Sequence, residues 1–307
     1  MTDNDVSDLF SDVSDMSYTS DLDLPCNSIS YDISNGSPID TDKFIILHYN
    51  INSITAEGRI DELHDICQTL KVSVLCITES KLDETIPNNI IKLFGFHEPL
   101  RRDRPLNGRN GGGCLVYIAD NLTFNQKNNL QSDNFEHIFV DILVNKKTIS
   151  INCLYRPPNE TSDDHNLFLE SVDSILTGIS NHKSDIKVFT SDMNFGNCYC
   201  NDPILPHKPL DFAAPDLFST YGYIQLIDIP TRVTSSTISL IDTIHVSSED
   251  LVVEYGTLPQ IADHDGTVLC LDVARSQKVN CSKTLFHYAN ADVEGLEKYI
   301  KEFNYQT

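Results

Sequence analysis

Between residues 43 and 271 the chain is a series of short, almost wholly apolar runs that stop abruptly at a polar side chain. This pattern constrains the fold more than any other feature. Phe44-Ile45-Ile46-Leu47 and Val72-Ser73-Val74-Leu75-Cys76-Ile77 are short apolar runs without a wet face, so they are predicted to be buried strands. Between them, Ile60, Leu63, Cys67 and Leu70 recur at helical spacing with acids on the opposite side, which predicts a surface helix over residues 59–70. Such a strand–helix–strand opening belongs to α/β or layered α+β domains. Strand-like runs at 113–119, 138–144 and 149–154 follow with only Asn/Asp/Lys turns between them, which predicts antiparallel pairing. A second helix is expected over 164–179, with Leu167, Phe168, Val172, Ile175, Leu176 and Ile179 as its apolar stripe. A strand at 186–189 then leads into a polar loop holding Asp192 and Asn194. A short helix near 215–221 and strands at 224–227, 241–246 and 268–271 complete the series. No internal repeat is visible.

The flanks differ from this body. Residues 1–40 hold nine aspartates and no Glu, Lys or Arg, with no sustained apolar period, and are expected to be an acidic disordered tail. Residues 276–307 begin polar and end in an amphipathic stretch, about 291–303, so the expected domain proper is 41–275. The 307 residues, 40% hydrophobic, suffice for a sizeable core without disulfides. No apolar run is long enough for a membrane span, and the acidic N-terminus lacks the pattern of a secretory signal peptide. Cys76, Cys114, Cys153 and Cys270 lie inside apolar runs, as reduced thiols do in an intracellular protein. Cys198, Cys200 and His207 lack a fourth ligand at zinc spacing.

Net charge is −23, which taken alone argues against a nucleic-acid partner. The surplus is uneven, however. Nine of those charges sit in the first forty residues, and four of the eight arginines (Arg101, Arg102, Arg104 and Arg109) fall within nine positions. That segment reads either as a local phosphate-binding site or as a solvated basic loop.

The polar residues at the strand ends carry the chemistry. Asn50 follows one apolar run, Glu79 ends the next, and Tyr155-Arg156 end another. Asp192 and Asn194 follow a fourth, Asp242 begins a fifth, and Asp263-His264 precede a sixth. Taken singly, an Asn or Asp at such a place is more often a turn or cap residue. Strand ends that meet at one edge of packed sheets can instead gather these groups into one site. The oxygen-rich set suits Mg²⁺ rather than zinc. With a histidine and arginines it has what phosphodiester hydrolysis requires: a hard Lewis acid, a water activator, and donors for a pentacovalent oxyanion.

The order of these pieces resembles the endonuclease/exonuclease/phosphatase superfamily, and most of all the endonuclease domain of LINE-type (non-LTR) retrotransposons. The resemblance rests on His48-Tyr49-Asn50-Ile51-Asn52-Ser53, Ile77-Thr78-Glu79-Ser80, and Arg102-Asp103-Arg104 leading to Gly111-Gly112-Gly113. It continues through Tyr155-Arg156-Pro157-Pro158-Asn159, Ser191-Asp192-Met193-Asn194, Thr231-Arg232, Ser239-Leu240-Ile241-Asp242 and Ala262-Asp263-His264-Asp265. Two positions depart from the family pattern: Ser191 stands where Gly is usual, and Ala262 where Ser is usual. The stretch 286–305 resembles the linker that precedes a reverse transcriptase.

The resemblance implies a four-layer α/β sandwich, DNase I-like, with two mostly antiparallel sheets face to face and helices outside. It implies that Glu79, with Asn50 beside it and Asp263 close by, holds Mg²⁺ (or Mn²⁺), without a small-molecule cofactor. Asp192 would orient or deprotonate the attacking water, and Asn194 and Tyr155 would hydrogen-bond the phosphate. Asp242 would hold the ring of His264, which contacts or protonates a phosphate oxygen. Arg102, Arg104, Arg156, Arg232 and Ser239 would bind the substrate, DNA. The product would be a nick with 3′-hydroxyl and 5′-phosphate ends, made by a monomer, in the nucleus. Two alternatives stay open: a phosphatase of the same fold acting on a phosphoinositide or sphingolipid headgroup, and a catalytically idle remnant kept as an interaction module.

Overall fold

Two-sided burial explains why the apolar runs lack alternation. A computed structural model describes residues 38–104, 111–132, 134–158, 161–195, 213–235 and 238–274. In chain order these form β1 (Phe44–Asn50), α1 (Arg59–Thr69), β2 (Val74–Thr78), β3 (Leu100–Arg102), β4 (Cys114–Ile118), β5 (Thr123–Gln126), β6 (Glu136–Val144) and β7 (Lys147–Tyr155). Then come α2 (Ser162–Ser180), β8 (Ile186–Asp192), α3 (Ala213–Thr220), β9 (Ile224–Gln225), β10 (Arg232–Val233), β11 (Ile238–Ser239), β12 (Asp242–Val246), β13 (Val252–Leu258) and β14 (Gly266–Leu271).

One sheet has the order β13-β14-β1-β2-β4-β3 and the other β5-β6-β7-β8-β12-β9, with β10 and β11 forming a separate two-stranded ribbon. Each six-stranded sheet has a single parallel pair, β1 with β2 and β7 with β8, and every other junction is antiparallel. A parallel pair needs a crossover, and α1 and α2 supply them. The sheets face each other over a shared core that includes Leu47, Val74, Cys76 and Leu115 from one and Ile138, Ile151, Cys153 and Val188 from the other. Phe139, Leu154 and Phe189 instead face α2 and α3, packing on Phe168, Val172, Leu176 and Phe218. The fold is thus an α/β sandwich of two mixed sheets flanked by helices. The four cysteines expected inside apolar runs, Cys76, Cys114, Cys153 and Cys270, are buried and outside any disulfide among the described residues, and so is Cys67.

Local signals account for the helices. Thr161 opens α2 with a reciprocal capping box, its hydroxyl accepting from the Asp164 amide while the Asp164 carboxylate accepts from the Thr161 amide. In α1, Leu63, Ile66 and Cys67 are the buried stripe.

Several expectations need correction. The strand expected at 186–189 runs on through Asp192, because Ser191 and Asp192 pair with Thr243 and Asp242 of β12, and the Ser191 hydroxyl bonds that of Thr243 at 2.8 Å. Asp192 therefore stands on a sheet and not in a loop. The strand expected at 224–227 is only two residues long. Strands β3, β5 and β13 gave no recognisable run, since they contain partly exposed positions at sheet edges, where burial on two sides does not operate. Ile39, placed in the expected tail, is buried in the core. Residues 1–37 of that tail, the terminal helix at 291–303, Arg109 and the Cys198/Cys200/His207 group lie outside the described residues. No helix among the described residues is long and apolar enough to cross a membrane.

Candidate active site

Register brings the polar strand ends to one edge. In the first sheet Asn50 pairs with Thr78, so Asn50 and Glu79 emerge side by side from parallel strands. In the second, Tyr155 pairs with Asp192 across the parallel junction, and Asp192 pairs with Asp242 across the antiparallel one. The facing of the sheets then sets these two sets of groups against each other.

Hydrogen bonds join them. Asn50 donates through Nδ2 to Glu79 Oε1 at 3.1 Å and to Asp192 Oδ2 at 2.8 Å. The Tyr155 hydroxyl donates to the same Glu79 oxygen at 3.2 Å. His264 Nδ1 meets Asp242 Oδ2 at 2.7 Å, and Thr231 Oγ1 donates to that oxygen at 2.7 Å while accepting from the Asp242 amide. Asp192, Asp242 and His264 each offer an atom within 4.8 Å of the others. Asn194 sits one turn beyond β8; its amide donates to Asp192 Oδ1 at 3.1 Å and its side chain to the Arg156 carbonyl at 2.8 Å.

Charge follows from this crowding. Burial raises the proton affinity of the Asp192 carboxyl well above the usual range, and the neighbouring Asp242 and Glu79 carboxylates push the same way. Burial works against a charged His264, yet Asp242, Asp192 and Asp263 outweigh it and raise its pKa to about 9. Burial, then Glu79 and Asp192, keep the Tyr155 phenol protonated. His48, fully buried behind Asp242, is lowered to about 4 by burial and is a neutral ring.

The backbone around the site is unusual. Of the eight non-glycine residues with positive φ among the described residues, five (Asn52, Ser53, Glu79, Lys81 and Asn194) lie at this edge. Non-glycine side chains in the left-handed region cost free energy and persist where surrounding contacts enforce them. Here the Ser53 amide bonds the Glu79 carbonyl, and the Ser80 and Lys81 amides bond the carbonyls of Gly113 and Gly112. Gly113 has φ +90°, and a Cβ there would strike the Ser80 hydroxyl, which accounts for the glycine on steric grounds.

A hard divalent cation suits this donor set. Three carboxylates (Glu79, Asp192 and Asp242) converge with one imidazole, and Asp242 and Glu79 add to burial in raising the proton affinity of Asp192. Glu79 Oε2 is the oxygen turned to the rim, where Lys81 Nζ stands 3.5 Å away. The expectation that Asn50 is a ligand does not agree with its orientation. Its amide oxygen accepts from the Asn52 amide at 3.1 Å, so the NH₂ group, which cannot ligate, faces the carboxylates. Asn50 is a bridge between Glu79 and Asp192. Asp263 is at the rim, held by Arg232 through Nε at 3.1 Å and Nη2 at 2.8 Å to one oxygen; burial would raise its pKa, but Arg232 and His264 bring it below the usual range.

The arginines are corrected most. Arg156 is 7% exposed; its Nη1 donates to the Met193 and Asn194 carbonyls, and its guanidinium lies 4.3 Å from the Phe195 ring centre. It props the Asn194 turn from beneath and is not placed to fork a phosphate. Arg104 bonds Glu136 and lies 5.4 Å from the centre of the Tyr155 ring, with little exposure. Arg102 donates to the Ser132 carbonyl, and Arg101 is held by Asp103 and by the Ile86 and Asp83 carbonyls. Ser239 pairs with Arg232 across the ribbon, and its carbonyl accepts from the Thr231 amide. Sequence reasoning gave no role to Asn52, Lys81, Thr231 or His48. Three of them lie inside the family-like motifs, and the alternation of strand side chains puts His48 on the same face of β1 as Asn50. Lys81 bonds the Asn52 side chain over Glu79, and Asn52 reaches Asp263 at 3.5 Å.

Known proteins share this arrangement of strands. The endonuclease domain of TRAS1, a telomere-specific non-LTR retrotransposon, superposes with a TM-score of 0.58 at 15% identity, over 76% of this chain and all of that one (100%). An AP endonuclease from Archaeoglobus fulgidus gives 0.55 at 14% identity, over 75% and 100% of the two chains. The 3′ phosphatase NExo from Neisseria, in a complex with a product DNA hairpin, gives 0.57 at 14% identity, over 75% and 99%. At these identities the likeness establishes the fold. No curated protein is significantly similar in sequence. The sequence pattern of the Endonuclease/Exonuclease/phosphatase family matches residues 47–212, more than half of the chain, and spans Asn50, Glu79, Tyr155, Asp192 and Asn194; the chain belongs to that family.

Proposed function

We propose that residues 41–275 form a divalent-metal-dependent DNA endonuclease of the retrotransposon type, which nicks one strand to leave 3′-hydroxyl and 5′-phosphate ends. The observation that carries this reading is the unbroken run of contacts Tyr155–Glu79–Asn50–Asp192 across the two sheets, with the Asp242–His264 pair beside it. Idle drift would not maintain so many buried polar contacts, because each unsatisfied group costs about 1–3 kcal/mol.

Mg²⁺ or Mn²⁺ held by Glu79, with Asp263 beside it, would supply Lewis-acid stabilisation of charge on the phosphate. The protein's own groups do the rest. Asp192 in its ionised form, its proton affinity raised by burial and by the neighbouring carboxylates, takes the proton of the attacking water as it adds in line with the leaving oxygen. His264, kept cationic by Asp242, donates to a non-bridging phosphate oxygen as negative charge builds there. Asn194 and the protonated Tyr155 add two neutral donors. Arg232 is the expected substrate arginine nearest this edge, and phosphate would compete with Asp263 for it. With DNA as its proposed substrate, the protein is proposed to act in the nucleus.

The test is nicking of supercoiled plasmid by the full chain. Nicking should need Mg²⁺, stop in EDTA, and fall about 10³-fold in Glu79→Ala and His264→Ala. Undiminished nicking by folded His264→Ala protein would overturn the assignment. Release of phosphate from soluble inositol phosphates with none from DNA would transfer the same chemistry to the headgroup phosphatase.

A further inference from the structure

Behind the Asp242–His264 pair lies a second histidine that the chemistry above does not use. His48 projects from β1 with no exposed surface. Its Nε2 is 3.1 Å from Thr78 Oγ1, and its Nδ1 is 4.0 Å from Asp242 Oδ1. Among the described residues neither that nitrogen nor that carboxylate oxygen has a hydrogen-bond partner, although both are buried. Two orphaned polar atoms facing each other inside a protein are costly, and a buried carboxylate oxygen without a donor is the costlier of the two. At 4.0 Å the gap is too long for a direct hydrogen bond.

The chemistry of the surroundings sets the tautomer. A nitrogen facing a carboxylate oxygen must carry the proton, since a lone pair there would be repelled; Nδ1 is therefore N–H and Nε2 accepts from the Thr78 hydroxyl. Thr78 stands one residue before Glu79 and is itself fully buried, so the ring is anchored from the neighbouring strand. The other oxygen of Asp242 is already saturated by Thr231 and His264.

We propose that His48 is a positioning residue of the hydrolytic site, closing through Nδ1–H onto Asp242 Oδ1 and so fixing the carboxylate that orients His264. The chain of contacts Thr78–His48–Asp242–His264 links the β1–β2 half of the site to the imidazole on the other side. The inference rests on the proposed hydrolytic function for its kinetic readout but not for its spectroscopic one.

Two amide substitutions separate the role of the donor from that of packing. The Nδ2 of an asparagine at position 48 falls where the ring Nδ1 was and keeps the donor toward Asp242. The amide of a glutamine falls where Nε2 was and keeps only the link to Thr78. In plasmid nicking with Mg²⁺, His48→Gln and His48→Leu should lower kcat about 10–100-fold with KM nearly unchanged, whereas His48→Asn should stay within about 3-fold of wild type. In proton NMR of the metal-free full chain, the low-field His264 Nδ1–H signal, assigned by its loss in His264→Gln, should move upfield in His48→Gln and His48→Leu but not in His48→Asn. Thr78→Val, which removes only the anchoring hydroxyl, should give a smaller loss of the same kind. Equal losses in the Asn and Gln variants would overturn the proposal, as would a His264 signal unmoved in His48→Leu. Should the wild type fail to nick DNA, the proposed function fails, and the NMR comparison still decides the place of His48.

Discussion

The two strand–helix–strand crossovers, β1-α1-β2 and β7-α2-β8, are built alike and finish differently. Each contains the only parallel pair of its six-stranded sheet, and each delivers polar residues from the C-terminal ends of that pair to the same edge. Beyond β1 and β2 the chain turns at once into the left-handed region, at Asn52, Ser53, Glu79 and Lys81, and Glu79 and Lys81 retain partial exposure. At the other crossover Asp192 remains inside the ladder, paired with Asp242 and sealed from solvent. On the proposed function, the group that would hold the ion, Glu79, stands on a strained turn at the rim, where an ion or substrate must come and go. A group that must keep a perturbed proton affinity is held instead by sheet register, in the dry interior.

The largest expected difference between the halves is one of rescue. Asp192→Asn should lower nicking about 10³-fold whatever the metal concentration, and should raise the melting temperature, because it removes a buried carboxylate crowded by Asp242 and Glu79. Glu79→Gln should lower activity too, but the loss should shrink as Mg²⁺ or Mn²⁺ is raised, since an exposed ligand can be replaced by mass action. Equal rescue of both variants would erase the distinction drawn here.

Next in size is a test of where the strain resides. Arg156→Met leaves the Met193 and Asn194 carbonyls without their buried donor and should cost about 2–4 kcal/mol in urea unfolding. Gly113→Ala adds a Cβ at φ +90° against Ser80 and should cost about 1–3 kcal/mol, with a matching fall in metal affinity as the Glu79 turn shifts. A Gly113→Ala protein as stable as wild type would show that this turn is not enforced by the glycine loop.

These contrasts also explain what could be read without coordinates. Val74–Thr78 and Phe44–Asn50 were legible because burial on both faces leaves an unbroken apolar run, and the polar residue that ends each run marks the edge. β13 was not, since its first residues alternate between half-buried Val252 and Glu254 and the exposed Val253 and Tyr255. The site's membership was legible in the order of its motifs, but orientation was not. Nothing in a one-dimensional pattern shows that Asn50 presents its NH₂ group, or that Arg156 turns inward to Phe195. His48 went unread for a related reason: a histidine two residues before Asn50 acquires meaning only when the opposing sheet brings Asp242 within 4.0 Å.

Titration separates the dry interior of the site from its rim by a smaller amount. The pKa of His264 is raised from 6.5 to about 9, so its ion pair with Asp242 contributes stability that is fully present below pH 6.5 and lost as pH rises through 9. Asp263 behaves oppositely: its pKa lies below 3.8, so its contribution is present above pH 3.8 and lost only as pH falls below that value. Between pH 6.5 and 9.5 the melting temperature of the wild type should fall by more than that of His264→Gln in EDTA, and Asp263→Asn should leave that slope unchanged.

The smallest effect concerns the grip on DNA. Arg101, Arg102, Arg104, Arg156 and Arg232 all bond to groups within the protein, and Arg232 is the one whose carboxylate partner, Asp263, is the least buried. With a net charge of −23, binding that relied on many phosphate contacts would face general repulsion. The slope of log K against log salt should therefore be shallow, about −2 to −3, and Arg232→Met should reduce its magnitude by about 1, whereas Arg156→Met leaves it unchanged. A slope near −8, or one that responds to Arg156, would mean that the guanidinium groups now turned inward swing out to meet the duplex, and the rigid half of the site would then be the mobile one.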